Sequence, residues 1–211
     1  FPHVFFEGCS GGGGRFDFGI LYYMPQIWTS DDSDAVERLK IQYGTSLVYP
    51  TSAMVAHVSA CPNHQTERVT SFKTRGDVAQ ICNFGYELNV GSLSEEEKEM
   101  IKEQTDKHKE IETLVAEGEF YRLVSPFEGN TCAWQLVSKD KAKSYVVFAR
   151  VNAVPNYKPE YLQVKGLDEE ATYEVKQLDI RVKGSTLMNA RLPIFLGRED
   201  YRTVTFDIEK V

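Results

Sequence analysis

The chain has 211 residues, enough for one large domain or two small ones, and 42% of them are hydrophobic, the ordinary share for a globular protein. A net charge of −7 argues against a nucleic-acid partner, because phosphate binding requires a clustered basic surface. Apolar runs of only a few residues argue against a helical membrane span.

Residue 1 opens an apolar stretch, Phe1-Pro2-His3-Val4-Phe5-Phe6, with no Met and no signal-peptide pattern. It reads as a cut edge with a longer polypeptide before it. Val4-Phe5-Phe6 is a strand candidate that runs into the glycine-rich turn at Gly11 to Gly14. Ile20 to Trp28 forms a second apolar stretch that turns at Thr29-Ser30-Asp31-Asp32. The spacing of Val36, Leu39 and Tyr43 predicts a helix from about Ser33, with Gly44 as its stop. Met54 to Val58 reads as a buried strand, closed by Cys61-Pro62-Asn63. Ser94 and Glu97 form a capping box for a long helix that stops at Gly118. This strand–helix alternation implies parallel βα units, as in a barrel or a doubly wound sheet.

From about Glu119 the pattern changes. Short β-branched runs at 121–124, 132–137, 144–151, 161–164, 173–175 and 203–208 lie between Asn, Gly, Pro and Asp clusters. They predict an antiparallel β domain, a sandwich, over 119–211, with no helix-length period. The α/β region spans 1–118.

Cys9, Cys61, Cys82 and Cys132 lie far apart and form no CxxC pair, so the expectation is free thiols in a reducing compartment, the cytoplasm. Three constellations carry possible chemistry. The run from Glu7 to Asp17 holds four consecutive glycines. They read either as a flexible linker or as a turn whose backbone N–H groups approach a ligand unhindered by a Cβ. No phosphate-loop Gly-Lys-Ser/Thr follows. The run Trp28 to Asp34 reads as a helix N-terminus with capping acids, but three acids in four positions, with Trp28 three residues before Asp31, also fit a sugar platform beside a catalytic carboxylate. His57, Cys61 and His64 match no zinc spacing, so structural or loop-lining roles are expected, with no metal and no cofactor.

Several long motifs resemble the bacterial α-galactosidases of glycoside hydrolase family 36. They are Gly8-Cys9-Ser10-Gly11-Gly12-Gly13-Gly14-Arg15-Phe16-Asp17, Tyr22 to Asp32, Gln42-Tyr43-Gly44-Thr45-Ser46 and His57-Val58-Ser59. Pro62-Asn63-His64, Thr74-Arg75-Gly76-Asp77 and Phe84-Gly85-Tyr86-Glu87-Leu88 complete the set. The resemblance covers almost the whole chain, more loosely after Gly118.

It implies the C-terminal half of a TIM (β/α)8 barrel followed by an antiparallel β-sandwich domain. It also implies retaining hydrolysis of terminal α-D-galactosides such as melibiose and raffinose, with Asp31 as general acid/base. Trp28 would line the galactose subsite, and Cys9, Gly11 and Gly12 would contact sugar hydroxyls. Asp32 and Asp34 are assigned to helix capping. Phe18 departs from the family pattern, which carries Pro there. The family's nucleophile, an Asp in a Lys-Trp-Asp-X-Asn motif, has no counterpart in the sequence. The acid/base is therefore expected here and the nucleophile in the missing N-terminal part, so that the 211 residues alone would be inactive. Assembly as a homotetramer is a further implication. A non-catalytic galactoside-binding fragment, or a related α-N-acetylgalactosaminidase or galactosyltransferase, is the alternative.

Overall fold

The computed structural model describes residues 1–156 and 158–211, in two compact units, Phe1–Glu112 and Thr113–Val211. In the first, β1 (Glu7–Gly8) leads into a glycine turn, α1 (Ser10–Gly13), which is not helical at its centre: Gly11 and Gly12 take φ of 67° and 74°. After α2 (Phe18–Leu21) come β2 (Gln26–Trp28), α3 (Ala35–Thr45), β3 (Met54–Ser59), α4 (Phe72–Ala79) and β4 (Asn83–Glu87). The long helix α5 (Glu95–Glu117) follows. The four strands form one parallel sheet in the order β1-β2-β3-β4. Strands of such a sheet are covered on both faces, and β3 shows it: Met54, Val55, Ala56 and Val58 are all buried.

The strand expected at Val4-Phe5-Phe6 does not form. Those residues are exposed, and pairing begins only at Glu7 opposite Gln26. Among the described residues β1 pairs with β2, and residues 4–6 have no strand partner. The apolar stretch from Ile20 divides: Asp17 Oδ1 accepts from the Ile20 amide at 2.9 Å and starts α2, and only Gln26–Trp28 join the sheet. Phe18 opens that short helix, its ring centroid 5.0 Å from that of Tyr49.

α3 buries Val36 and Leu39, as their spacing predicts, but it runs through Gly44 to Thr45. Its N-terminus is set by Asp34, whose Oδ1 accepts from the Val36 and Glu37 amides at 2.8 and 3.2 Å. The capping box of α5 forms in both directions, with Ser94 N to Glu97 Oε2 at 3.1 Å and Glu97 N to Ser94 Oγ at 3.2 Å. α4, in a segment without a clear periodic signal, is capped by Ser71 at the Thr74 amide. Gly76 lets α5 approach: a Cβ there would stand 2.1 Å from Gln104 Nε2, which donates to the Phe72 carbonyl.

The second unit is built from β5 (Glu119–Val124), β6 (Thr131–Val137), β7 (Lys143–Arg150), β8 (Glu160–Leu162), β9 (Thr172–Val175), β10 (Ile180–Lys183), β11 (Leu192–Ile194) and β12 (Arg202–Lys210). Six strands make an antiparallel sheet in the order β10-β9-β12-β7-β6-β5, and β11 pairs with β8. One apolar core draws on both sheets: Val146 and Phe148 of β7 and Phe206 and Ile208 of β12 belong to it with Leu162 of β8 and Leu192 and Ile194 of β11. A short helix that the sequence pattern does not announce, α6 (Gly184–Ala190), contributes Leu187 to that core. The buried Gln135 is satisfied by Ser144 Oγ at 2.9 Å and by both backbone groups of Lys165, at 3.0 and 2.8 Å. Gly118 closes α5, where a Cβ would sit 2.5 Å from the Leu114 carbonyl and 3.0 Å from that of Val137.

Candidate active site

The carboxyl ends of β1 and β2 bring two of the sequence motifs together. β2 ends at Trp28, and the chain then turns over Thr29 and Ser30 to put Asp31 beside the glycine turn that follows β1. Trp28 Nε1–H donates to Asp31 Oδ1 at 3.2 Å, and Cys9 Sγ lies 4.0 Å from the same oxygen. Gly12 is close enough that a Cβ would stand 2.6 Å from the Asp31 amide nitrogen and 3.0 Å from its carboxyl carbon. Gly13 packs in the same way on the Thr29 carbonyl, 2.8 Å from where its Cβ would be. Gly11 has open space around the corresponding position. The four glycines are therefore a fitted turn and not a linker. With φ of 67°, 74° and 88°, Gly11, Gly12 and Gly13 hold backbone conformations that other residues adopt at a cost.

The acids of the run have separate employments. Asp34, buried, is the N-cap of α3 and also accepts from Thr66 Oγ1 at 2.5 Å and from Arg68 Nη1. Asp32 Oδ1 accepts from the Asp34 amide at 3.1 Å, an Asx turn that leads into the cap. Asp31 takes no part in the capping, and it is exposed. Proximity to a helix start explains Asp32 and Asp34 and leaves Asp31 unexplained as a structural residue.

Trp28 is held from several sides. Its ring stacks on His57 of β3, centroids 4.6 Å apart and planes at 23°, and the Arg38 guanidinium carbon lies 4.1 Å from its centroid. With only 7% of the residue exposed, the indole turns its N–H edge to Asp31 and keeps its faces for the protein. A stacking platform for a sugar needs an open face, and here the faces are engaged. His57 is steadied by Gly85 of β4, where a Cβ would stand 2.8 Å from the imidazole Cδ2. Burial lowers the His57 pKa, against the opposing pull of Glu7 and Glu87, while the Arg38 charge also lowers it.

His57, Cys61 and His64 do not converge. Cys61 Sγ reaches the Thr70 carbonyl at 3.5 Å, and among the described residues no group of three or more acids, His or Cys could hold a metal ion. The intervening loop is pinned by Asn63, which donates to Ser33 Oγ at 3.2 Å and accepts from the Gln65 and Thr66 amides. Sequence patterning misses Arg38. The signal is present in its place on α3, three residues after Ala35 and four before Gln42, on the face that the helix buries.

The melibiase family model matches residues 1–118, and the glycosyl hydrolase family 36 C-terminal domain matches residues 131–208. The chain belongs to the melibiase family, within glycoside hydrolase family 36. It is 54% identical over all 211 residues to the α-galactosidase AgaA of Geobacillus stearothermophilus, covering 29% of that protein. It is 49% identical over 206 residues to the bifunctional α-galactosidase/sucrose kinase AgaSK of Mediterraneibacter gnavus, 98% of this chain and 22% of the relative. The crystal structure of an AgaA variant in complex with raffinose superposes with a TM-score of 0.98 at 53% identity, over 100% of this chain and 29% of that one. The chain thus spans less than a third of the length of these relatives.

Proposed function

We propose that this chain is the acid/base-bearing part of a retaining α-galactosidase, with residues 1–118 as the second half of a (β/α)8 barrel and 119–211 as a β-sandwich domain. The observation that carries the reading is the Asp31 carboxylate. It is exposed at the carboxyl end of a parallel β-strand, free of capping duty, and held by the Trp28 N–H with Cys9 and Gly12 against it. In parallel barrels that end of the strands carries the chemistry. The raffinose complex of the related AgaA variant supports an α-galactoside as the substrate.

Retaining glycosidases place two carboxyl groups about 5–5.5 Å apart. In the first step a nucleophilic carboxylate bonds to the anomeric carbon while the bond to the leaving oxygen breaks, and Asp31 gives that oxygen its proton. In the second, water attacks the same carbon and passes a proton to Asp31 as the glycosyl ester bond breaks. No Lys-Trp-Asp-X-Asn motif occurs in the sequence, so the nucleophile is contributed by polypeptide outside these residues. Cys9, Gly11 and Gly12 border the sugar hydroxyls, and Trp28 takes part through its N–H edge. The four unpaired cysteines support a reducing compartment, the cytoplasm, and homo-oligomeric assembly belongs to the same reading.

The test is hydrolysis of raffinose and of a nitrophenyl α-galactoside by the complete enzyme, before and after Asp31→Asn. A selective loss on raffinose, whose leaving group needs the proton, is the expected result. Equal losses on both overturn the acid/base role. Binding of galactose without turnover by the unmutated enzyme would indicate a binding protein instead.

A further inference from the structure

Arg38 is a buried cation in the first unit whose purpose the fold alone does not supply. It lies on α3 with 2% of its surface exposed, and among the described residues no carboxylate pairs with it. Its Nη1 donates to Thr29 Oγ1, its Nη2 to the Val55 carbonyl at 3.3 Å, and its Nε has no partner. The third contact of the guanidinium is the Trp28 ring, 4.1 Å away. Burial pulls the Arg38 pKa below its usual value. A buried cation satisfied by a hydroxyl, one carbonyl and a π face is an expensive way to fill space. An apolar side chain of similar volume would be expected to do as well or better there.

All three contacts converge on the segment that carries Asp31. Thr29 is two residues before it and Trp28 three, and Val55 pairs with Trp28 in the sheet. Trp28 then donates to Asp31 Oδ1. We infer that Arg38 is a positioning residue for the acid/base: its guanidinium fixes the Trp28 indole and the Thr29 turn so that the indole N–H holds the Asp31 carboxyl in the protonating position. A cation over the indole also draws electron density from the ring and makes its N–H a stronger donor. The other charged or titratable groups around this cluster are Cys9 and Glu7 from the β1 side, Asp32, His57 on β3, Glu87 on β4 and the buried Cys82. None of them bonds to both Trp28 and the Thr29 turn, as Arg38 does.

The inference rests on Asp31 being the acid/base, so the experiment runs Arg38→Met, Arg38→Lys and Asp31→Asn side by side in the complete enzyme. The readout is kcat/KM on raffinose against that on a dinitrophenyl α-galactoside. Arg38→Met is expected to lose about tenfold or more on raffinose and markedly less on the activated substrate, with KM little changed. Arg38→Lys, which keeps the cation but loses the two-pronged grip, is expected to recover part of the difference. Thr29→Val removes one anchor with little change of shape, so it tests the same link if Arg38→Met does not fold. Its expected effect is smaller, in the same direction. Equal losses on both substrates for Arg38→Met, or for Thr29→Val in its place, would overturn the positioning role while Asp31→Asn still discriminates. If Asp31→Asn fails to discriminate as well, it is the acid/base reading that falls.

Discussion

The indole N–H of Trp28 reaches Asp31 Oδ1 at 3.2 Å across a turn of only two residues, Thr29 and Ser30. That short reach joins a buried ring and an exposed carboxylate at the end of β2. It also separates what Trp28 does from what its aromatic face would suggest.

Trp28→Phe keeps a flat ring against His57 and Arg38 and removes the N–H. Hydrogen bonds to charged groups contribute about 1.5–3 kcal/mol, so kcat/KM on raffinose should fall roughly tenfold or more. The fall should be smaller on an aryl galactoside with a good leaving group. If Trp28 acted by stacking on the sugar, Phe would preserve most activity on both substrates.

Gly12→Ala introduces a Cβ 2.6 Å from the Asp31 backbone nitrogen at a φ of 74°, whereas Gly11→Ala meets nothing within 4 Å. Both pay about 1–2 kcal/mol for the left-handed conformation. Only Gly12→Ala should also displace Asp31. Thermal melts should therefore show a loss of stability in both variants, and steady-state assays a large kcat loss in Gly12→Ala alone.

Asp34→Ala removes the cap of α3 and one of the two carboxylates paired with Arg68, at a position with 1% exposure. Loss of a cap costs about 0.5–2 kcal/mol, and denaturant unfolding should show a loss at the upper end of that range, since the Arg68 pair weakens with it. Asp32→Ala, which removes only the preceding Asx turn, should cost about 1 kcal/mol or less.

Stability should fall on acidification. Burial depresses the pKa values of His57 and His108 in the folded state. As pH drops below about 6.5, the unfolded chain takes up protons that the folded chain resists, and unfolding is favoured. Urea midpoints measured from pH 8 to pH 5 should decline. His57→Gln with His108→Gln should flatten that decline, and an unchanged slope would show that the two imidazoles are not its source.

Much of this protein is written in local signals. The period of Val36 and Leu39, the Ser94–Glu97 box and the β-branched runs after Glu119 gave helices and strands close to their observed places. Each depends on a residue's own propensity or on neighbours within a turn of helix. The family motifs also stand in continuous stretches, from Gly8 to Asp17 and from Tyr22 to Asp32. Legibility ended where an element depends on a partner distant in sequence. Val4-Phe5-Phe6 has strand propensity but no strand partner among the described residues, and stays outside the sheet. α6, seven residues long, is too short to show a period.

Asp31 as a carboxylate near a strand end, between a glycine run and a capped helix, follows from the sequence by itself. The family resemblance sets it apart from Asp32 and Asp34, and the fold supplies the physical reason, engaging those two at the α3 N-terminus and leaving Asp31 exposed. The fold also decides for Trp28, whose aromatic ring suggests a platform until His57 and Arg38, brought in from β3 and α3, take up its faces. Hydrophobic periodicity reports how much of a side chain is buried. It cannot report which polar groups, decades of residues away, meet it there, because those encounters are fixed by the register of parallel strands and the packing of helices between them.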